Sequence, residues 1–329
     1  MKIILVVNAG SSSMKVAGYN AETGAQNFKA TINAVTNYKE AVEQALRDAR
    51  GTVVGVGYRV VNGNGYNEPQ VITEEVLENL THAAKYAPLH NPPAIAGIRM
   101  LQRLYPNAKH IAVFDTAFFA DMDEATKSYA LPEVLRTKYL KFGYHGLSHQ
   151  NVARTVKAES VVSVHLGSGC SVTAIENGKA VDTTLGYGTY DGVMMGTRSG
   201  SIDPAVVLDL ARTMGVESAE KLLTQASGMA GVAGLPNDFR VIEAEMDAGN
   251  ENAKLAYDMF IRSVVKQIGS MAVQLDSCVP TIAFTGGIAQ NSARVRADIM
   301  AKVGKFFAAE VVVDCNEEGI ILNAVKEVI

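Results

Sequence analysis

A strand–turn–strand pattern occurs twice in this chain, once near the start of each half. Residues 3–19 contain an apolar run, the small polar turn Asn8-Ala9-Gly10-Ser11-Ser12-Ser13, and a second apolar run. Residues 161–175 repeat that order around His165-Leu166-Gly167-Ser168-Gly169. Glycine lets a backbone approach an anion closely, and successive N–H groups form an anion-binding nest. The repeat predicts paired phosphate-binding hairpins, and the alternative is that both are ordinary turns.

The rest of the chain alternates strand-like and helix-like segments. With 329 residues, it suits two domains of about 150 residues each. Continuous apolar runs predict buried strands, which are Ile3–Val7, Val53–Val61 and Ile111–Phe114. Apolar residues at helical spacing predict helices over Tyr38–Arg50, Pro93–Leu104, His149–Lys157, Ala205–Met214 and Ala253–Leu275. This alternation indicates an α/β protein.

Composition excludes several classes of protein. A formal net charge of −4 argues against a general nucleic-acid binder, which usually carries a basic face. The three cysteines have neither CxxC nor zinc-like spacing, and their sparse use is typical of a reducing compartment. No stretch approaches the roughly 20 apolar residues of a membrane span, and the N-terminus is too short for a signal peptide. We therefore expect a cytoplasmic protein that does not bind membranes.

Two arginines are candidate anion ligands. Arg59 lies within an apolar strand, where a buried charge is costly unless it meets an anion. Arg198 lies in the Gly-flanked loop Met194–Ser201. The alternatives are a salt bridge to an internal acid for Arg59 and a loop-closing contact for Arg198.

Several other polar residues stand beside turns or at strand ends. His90, His145 and His165 each neighbour a turn signal, although a lone histidine is more often structural. Asp115 ends the strand Ile111–Phe114, a common place for a carboxylate that meets Mg²⁺ or orients an arginine. For Asn316-Glu317-Glu318, a solvated helix start is the simpler interpretation. The Gly-Gly turn in residues 282–291 is by itself weak support for nucleotide binding.

Ten segments, read together and in order, carry a more specific signal than any one of them. They are NAGSSSMK, GYRVVNG, APLHNPPAI, VFDTAF, GYHGLSH, HLGSGCSV, VDTTLGYG with MMGTRSGSIDP, GLPNDFR, FTGGIAQNS and CNEEG. In this content and order the chain resembles the acetate kinase family, the short-chain carboxylate kinases.

The resemblance implies a two-domain, actin-like and ribonuclease H-like duplicated fold with a cleft between the domains. Domain boundaries are expected at residues 1–147, joined by 318–329, and at residues 148–317. It also implies a homodimer that transfers the γ-phosphoryl group of ATP reversibly to a short-chain carboxylate, giving an acyl phosphate and ADP. Acetate is the expected acid, and Mg²⁺ the expected cofactor.

Roles are carried over to the matching positions of this sequence. The expected catalytic residues are His145, Arg198, Arg59 and Asp115. The expected substrate-binding residues are Arg59, Val61, Leu89, His90, Tyr144 and Thr189. The expected nucleotide-binding residues are Ser12, Lys15, His165, Gly167, Ser168, Gly169, Asp238, Arg240, Gly286, Gly287 and Asn291. Asn8 and Glu317 match positions near the metal ion and its water shell.

The chemistry of a carboxylate acceptor agrees with this set of residues. A carboxylic acid with a pKa of about 4.3 is already ionised at neutral pH and needs no general base. It does need cancellation of charge, because two anions must meet. Two arginines, a histidine and Mg²⁺ supply that charge. Asp115 is therefore interpreted as a partner of the metal or of an arginine.

Some residues depart from the family pattern. Tyr144 replaces a usual Phe, Ser168 a usual Asn, and Thr189 a pocket-lining Pro. Tyr58 and Asn62 replace two usual histidines, and the chain is shorter than typical members. Three hypotheses therefore stay open: an acetate kinase, a kinase for a more polar or larger acid such as propionate or butyrate, and a non-catalytic nucleotide sensor.

Overall fold

The computed structural model of this protein describes residues 1–9, 13–33, 40, 51–88 and 90–329. These residues belong to two compact units. Unit 1 comprises Met1–Ala120, Tyr144–Leu147 and Asn316–Ile329. Unit 2 comprises Asp121–Gly143 and Ser148–Cys315.

Strands and helices alternate along the described residues. The strands are β1 (Lys2–Ala9), β2 (Ser13–Asn20), β3 (Gln26–Asn33), β4 (Thr52–Val60), β5 (Gln70–Val71), β6 (Lys109–Phe114), β7 (Ser160–Leu166), β8 (Cys170–Glu176), β9 (Lys179–Thr183), β10 (Thr281–Thr285) and β11 (Ala309–Val312). The helices are α1 (Glu74–His82), α2 (Asn91–Leu104), α3 (Glu124–Lys127), α4 (Glu133–Arg136), α5 (Gly146–Thr155), α6 (Pro204–Met214), α7 (Val216–Gln225), α8 (Gly228–Ala233), α9 (Phe239–Asp247), α10 (Glu251–Ala272), α11 (Gly287–Asn291), α12 (Ala293–Val303) and α13 (Glu317–Lys326). Short 3₁₀ turns cover Ala83–Lys85, Asp115–Phe119 and Gly304–Phe306.

Each unit is built on one mixed sheet. The strand order in unit 1 is β3-β2-β1-β4-β6-β5, and in unit 2 it is β11-β10-β7-β8-β9. In unit 1, β1 pairs antiparallel with β2 and parallel with β4, which pairs parallel with β6. In unit 2, β7 pairs antiparallel with β8 and parallel with β10, which pairs parallel with β11. Apart from the short β5, the two sheets have the same order and directions, so the fold is duplicated.

The first strand of unit 1 is buried on both faces, as its apolar run indicates. Leu5 lies in a core cluster with Leu77 of α1 and Ile98 of α2. Its neighbour Ile4 lies in a second cluster with Ile321 of α13. Successive side chains of a strand point to opposite faces, so both faces of this sheet are covered by helices.

The predicted elements are confirmed wherever the structure describes them. The segments Ile3–Val7, Val53–Val61 and Ile111–Phe114 lie in β1, β4 and β6 with small shifts at their ends. The predicted helices from Pro93 onward are α2, α5, α6 and α10, with ends displaced by at most three residues. Helix α2 begins at Asn91, before its two prolines, because proline is tolerated in the first turn. The helix predicted over Tyr38–Arg50 lies outside the described residues, apart from Glu40, as do residues 10–12 and Leu89.

Candidate active site

Three candidate residues meet at one edge of the sheet in unit 1. Asn8 is near the end of β1, Arg59 is near the end of β4, and Asp115 directly follows β6. These strands are parallel, so their carboxyl ends lie at the same edge. That edge is the usual place for a ligand site in α/β sheets.

Arg59 is the centre of a charged cluster. Its Nε lies 3.2 and 3.1 Å from the two Asp115 carboxylate oxygens, and its Nη2 donates to Asp115 Oδ2 at 2.7 Å. The Nη1 lies 3.3 Å from Glu317 Oε2 and donates to Asn8 Oδ1 at 3.3 Å. Asn8 Nδ2 in turn donates to Glu317 Oε2 at 2.9 Å. Arg59 therefore forms a salt bridge to an internal acid, which was the alternative that the sequence allowed. This salt bridge belongs to a network of four residues.

Burial and the neighbouring charges shift the pKa values of Arg59 and Asp115. Burial disfavours the charged guanidinium, but Asp115 and Glu317 outweigh that effect and raise the pKa of Arg59. Burial also raises the pKa of Asp115, while the neighbouring Arg59 opposes the shift. The Asp115 side chain is 1% exposed, so Arg59 is needed to compensate its charge.

Glu317 reaches the cluster from the start of α13. Asn316 caps this helix by accepting from the Gly319 N–H at 3.0 Å, which confirms the predicted helix start. The Glu317 side chain, however, is only 14% exposed and contacts Arg59 and Asn8. The interpretation of this acid pair as a solvated helix start is therefore wrong for Glu317. The available signal in the sequence was the apolar run Val311–Val313, which ends four residues before Glu317.

The His145 segment lies against Asp115. The Leu147 N–H donates to Asp115 Oδ1 at 3.4 Å. A Cβ on Gly146 would collide with the Asp115 backbone oxygen, so only glycine fits there. His145 itself has a φ of 56°, which is uncommon for a residue other than glycine and is a form of backbone strain often found at functional sites.

The expected acyl-pocket residues of unit 1 are joined by two asparagines. The Asn62 N–H donates to Asn91 Oδ1 at 3.1 Å, and Asn91 Nδ2 donates back to the Asn62 carbonyl at 2.9 Å. These bonds fix Val61 and His90, which directly precede the asparagines. Asn62 Nδ2 also donates to the Tyr144 hydroxyl at 3.2 Å. Two departures from the family pattern, at positions 62 and 144, thus contact each other.

Arg198 lies in unit 2 among neutral acceptors. Its Nη1 donates to the Thr189 carbonyl at 2.6 Å and to the Met195 thioether at 3.5 Å. Burial lowers the pKa of Arg198, and the nearby Cys170 opposes that shift. Thr189, the other predicted residue here, holds Arg198 through its backbone rather than its side chain. The contact is therefore independent of residue type at position 189.

The second predicted hairpin forms as expected and lies beside the Gly-Gly turn. Gly167 donates its N–H to the Gly169 carbonyl at 3.0 Å, and Ser168 is exposed at the tip. A Cβ built on Gly167 would lie 3.9 Å from the Gly287 nitrogen. Gly286 has a φ of 90°, and a Cβ there would collide with Leu166. The structure therefore brings the glycines of the hairpin and of the turn together at the carboxyl ends of β7 and β10.

Sequence reasoning missed two residues beneath this hairpin. Ser148 Oγ lies 2.8 Å from His165 Nδ1. His149 is fully buried, with its ring nitrogens 2.8 Å from the hydroxyls of Ser163 and Ser171. Burial, with a smaller effect of His165, holds the pKa of His149 well below its usual value. Polar residues alternating in the apolar strand β7 were the available signal.

The remaining predicted residues lie elsewhere in their units. Asp238 caps α9 and pairs with the exposed Arg240, whose Nη2 donates to Asp238 Oδ2 at 2.6 Å. That side-chain bond lowers the pKa of Asp238. Asn291 donates to the Gly287 carbonyl at 2.7 Å. Lys15 is exposed on β2, directly opposite Asn8 in the strand register, and Ser12 lies outside the described residues.

The oxygen donors of unit 1 fit a hard cation. Asn8 and Glu317 offer an amide and a carboxylate, which are the ligand types that Mg²⁺ prefers. Within the part of the chain that the structure describes, no group of three or more His, Cys, Asp or Glu side chains could hold a metal ion. Within the same residues, no helix has both the length and the apolar character required to cross a membrane.

The repeated strand order and the glycine turns define a duplicated α/β fold of the actin-like class, as predicted. Residues 25–320 match the acetokinase family. An acetate kinase from Corynebacterium jeikeium is 38% identical over 351 residues, which covers 93% of this chain and 87% of that protein. The crystal structure of acetate kinase from Entamoeba histolytica superposes with a TM-score of 0.89 at 28% identity, covering 99% of each chain. That of a propionate kinase from Francisella tularensis also gives 0.89, at 30% identity and 99% coverage of each.

The chain therefore belongs to the acetokinase family, and it is a carboxylate kinase, an ATP-dependent phosphotransferase. Members of this family use ATP and a divalent metal ion.

Proposed function

We propose that this protein phosphorylates acetate with Mg²⁺-ATP, reversibly, to give acetyl phosphate and ADP. The observation that carries the proposal is the Arg59 cluster, a partly buried cation fixed at the carboxyl edge of the sheet in unit 1. Acetate kinases among the relatives support acetate as the acid.

Asp115 acts as a positioning partner for Arg59 in this proposal. Both of its carboxylate oxygens are engaged by the guanidinium, and one also accepts from the Leu147 N–H. An ionised acid needs no general base, so this arrangement suits a carboxylate acceptor. Arg59 then holds the substrate carboxylate, with Val61 and Leu89 beside its methyl group and His90 in support.

Arg198 and His145 are proposed to stabilise the transferring phosphoryl group. Arg198 is a partly buried cation whose hydrogen-bond acceptors at Thr189 and Met195 are neutral, and a cation shielded from water gains most from an anionic ligand. His145 is held beside Asp115 in a strained backbone conformation, which supports a catalytic position for it. Fixed donors of this kind stabilise charge that develops in the transition state.

We propose that Asn8 and Glu317 hold Mg²⁺. Mg²⁺ needs few protein ligands, because it keeps several waters and binds the phosphate oxygens of its nucleotide. When bound, the metal ion supplies positive charge at those phosphates. The hairpin of Gly167, Ser168 and Gly169 is proposed to receive the phosphates.

The adenosine is proposed to bind near Gly286, Gly287 and Asn291, with Asp238 and Arg240 contributing. Lys15 and Ser12 are assigned to the first phosphate hairpin. We also propose that the enzyme is a cytoplasmic homodimer whose two domains follow the sequence-based boundaries, except that Asp121–Gly143 belongs to the second domain and Asn316 and Glu317 belong to the first.

The direct test is formation of an acyl phosphate. Purified protein with acetate and Mg²⁺-ATP should give a product that hydroxylamine traps, together with an equal amount of ADP. Omission of acetate is the control and should leave only background ADP. ADP release without trapped product from acetate, propionate or butyrate would contradict the proposal.

A second candidate function differs only in the carboxylic acid that is phosphorylated. The structural similarity to a propionate kinase supports it, as does the hydroxyl of Tyr144. That hydroxyl already accepts from Asn62 and is 1% exposed, which favours an internal role over contact with substrate. We expect kcat/KM to be higher for acetate than for propionate, butyrate or glycolate. A preference for any of the other three acids would establish the second candidate.

Ser148 is proposed to position His165 for the nucleotide. Its hydroxyl meets Nδ1, while Nε2 is turned to the phosphate hairpin, 3.6 Å from where a Gly167 Cβ would lie. Loss of a hydrogen bond of about 1 kcal/mol in Ser148→Ala should raise KM for ATP by about five- to tenfold. KM for acetate should change little, and Ser148→Thr should restore the wild-type value.

Ser163→Ala is the matched control for that experiment. It removes a hydroxyl from the neighbouring His149 rather than from His165. This variant should be less stable to heat but keep its KM for ATP. Equal KM effects in Ser148→Ala and Ser163→Ala would mean that Ser148 has a merely structural role.

A further inference from the structure

Unit 2 contains a cavity of about 670 Å³ whose lining includes none of the residues proposed for the kinase reaction. It lies between the end of α10, the loop that leads into β10, and the 3₁₀ turn after α12. Pro280, directly before β10, lines it. The Gly-Gly turn follows the other end of β10, six residues after Pro280, so the two sites are roughly 20 Å apart along the strand.

The floor of this cavity is part of the core, whereas its rim is apolar and exposed. Ile268, Val303 and Leu275 are 0%, 4% and 8% exposed. On the rim, Val273 is 79% exposed and Phe306 is 51% exposed. Its volume falls within the usual range of small-molecule pockets, and such pockets are largely apolar with few polar groups. An apolar ligand would remove these rim side chains from water.

Positively and negatively charged side chains lie on different sides of the cavity. Lys302 of α12 lines one wall, and Lys305 places its Nζ 4.9 Å from the centre of the Phe306 ring on the same side. Asp276 lines the wall formed by the loop after α10. An anionic head group is therefore attracted to the α12 side, with the apolar body directed to α10.

We propose that this cavity binds an amphipathic organic anion, a carboxylate that carries a medium-length apolar chain. The lining of this cavity shares no residue with the site proposed for acetate, and the volume far exceeds what a two-carbon acid fills. The proposal does not depend on the function assigned to the other residues.

Gly269 offers a way to block the cavity without disturbing the fold. It lies on α10 and lines the cavity, and a Cβ built on it has no atom within 4 Å. Leucine is also a better helix former than glycine. Gly269→Leu should therefore fill the cavity and leave the unfolding temperature equal or higher. Ser270→Leu, exposed on the same helix but outside the lining, is the matched control.

Calorimetry with decanoate below its micelle concentration tests the proposal. We expect one saturable site per chain in the wild type and in Ser270→Leu, and at least about tenfold weaker binding in Gly269→Leu. Lys302→Glu should weaken decanoate binding while leaving binding of neutral decanol unchanged. Decyltrimethylammonium should bind more weakly than decanoate to the wild type.

Several outcomes would overturn the proposal. These are no saturable binding to the wild type, equal affinities in Gly269→Leu and the wild type, or a preference for the cationic ligand. A lower oligomeric state of Gly269→Leu at the same protein concentration would identify this face as a contact between copies of the chain, which also excludes the ligand site.

Discussion

Arg59→Ala is expected to lower kcat by about 10²- to 10³-fold, because it removes the fixed positive charge that we propose to hold the substrate carboxylate and to offset the repulsion between the two reacting anions. It should also destabilise unit 1 by about 3–5 kcal/mol, because a buried Asp115 carboxylate loses the cation that compensates it. Steady-state kinetics of acetyl phosphate formation and urea unfolding measure the two effects separately. Asn8 and Glu317 lose a partner at the same time, so metal affinity should be measured in parallel.

A second substitution separates catalysis from stability in this cluster. Asp115→Asn removes the buried charge, so the double variant Arg59→Ala, Asp115→Asn should recover much of the stability lost by Arg59→Ala. Its kcat should stay low, because the guanidinium is still missing. Recovery of turnover in the double variant would show that Arg59 only compensates Asp115 and does not act on the substrate.

The edge of the first sheet was predictable from the sequence because its determinants are local. Apolar runs specify the strands β1, β4 and β6, and parallel strands necessarily bring Asn8, Arg59 and Asp115 to one edge. The antiparallel pairs β1–β2 and β7–β8 were predictable for the same reason, since the two strands of each pair are close together in sequence. What the sequence left open for Arg59 was whether its partner is a protein acid or a ligand. The structure provides Asp115 and Glu317, and a substrate carboxylate is the further partner that we propose.

Contacts between residues distant in sequence could not be predicted. Asn62 and Tyr144 are 82 positions apart, and their hydrogen bond depends on how the chain after β4 and the 144–147 segment pack in unit 1. Asn62 and Tyr144 each depart from the family pattern, and taken separately each suggests an altered acyl pocket. Together they form one hydrogen bond inside unit 1. Thr189 illustrates another limit, because its contact with Arg198 is made by a backbone carbonyl that every residue type possesses. The residue type at position 189 therefore gives little information about how Arg198 is held.

Arg198→Ala is expected to reduce kcat by about 10²- to 10³-fold while changing stability by only about 1 kcal/mol or less. The contrast with Arg59 arises because the described acceptors of Arg198 are a carbonyl and a thioether, so its removal leaves no buried carboxylate behind. Burial already disfavours the charged guanidinium and lowers its pKa, a cost that an anionic ligand offsets.

Thr189→Ala keeps the carbonyl that accepts from Arg198 and should retain kcat within about twofold, since that hydrogen bond is unchanged.

Arg198→Lys tests whether the shape of the guanidinium matters, because lysine keeps the charge but lacks the planar fork that binds phosphoryl oxygens in pairs. We expect its kcat to stay well below that of the wild type. Single-turnover measurements with acetate and ATP should place both arginine defects in the chemical step. Near-normal turnover of Arg198→Ala would remove this residue from the proposed catalytic set, which would then consist of His145, Arg59 and Asp115.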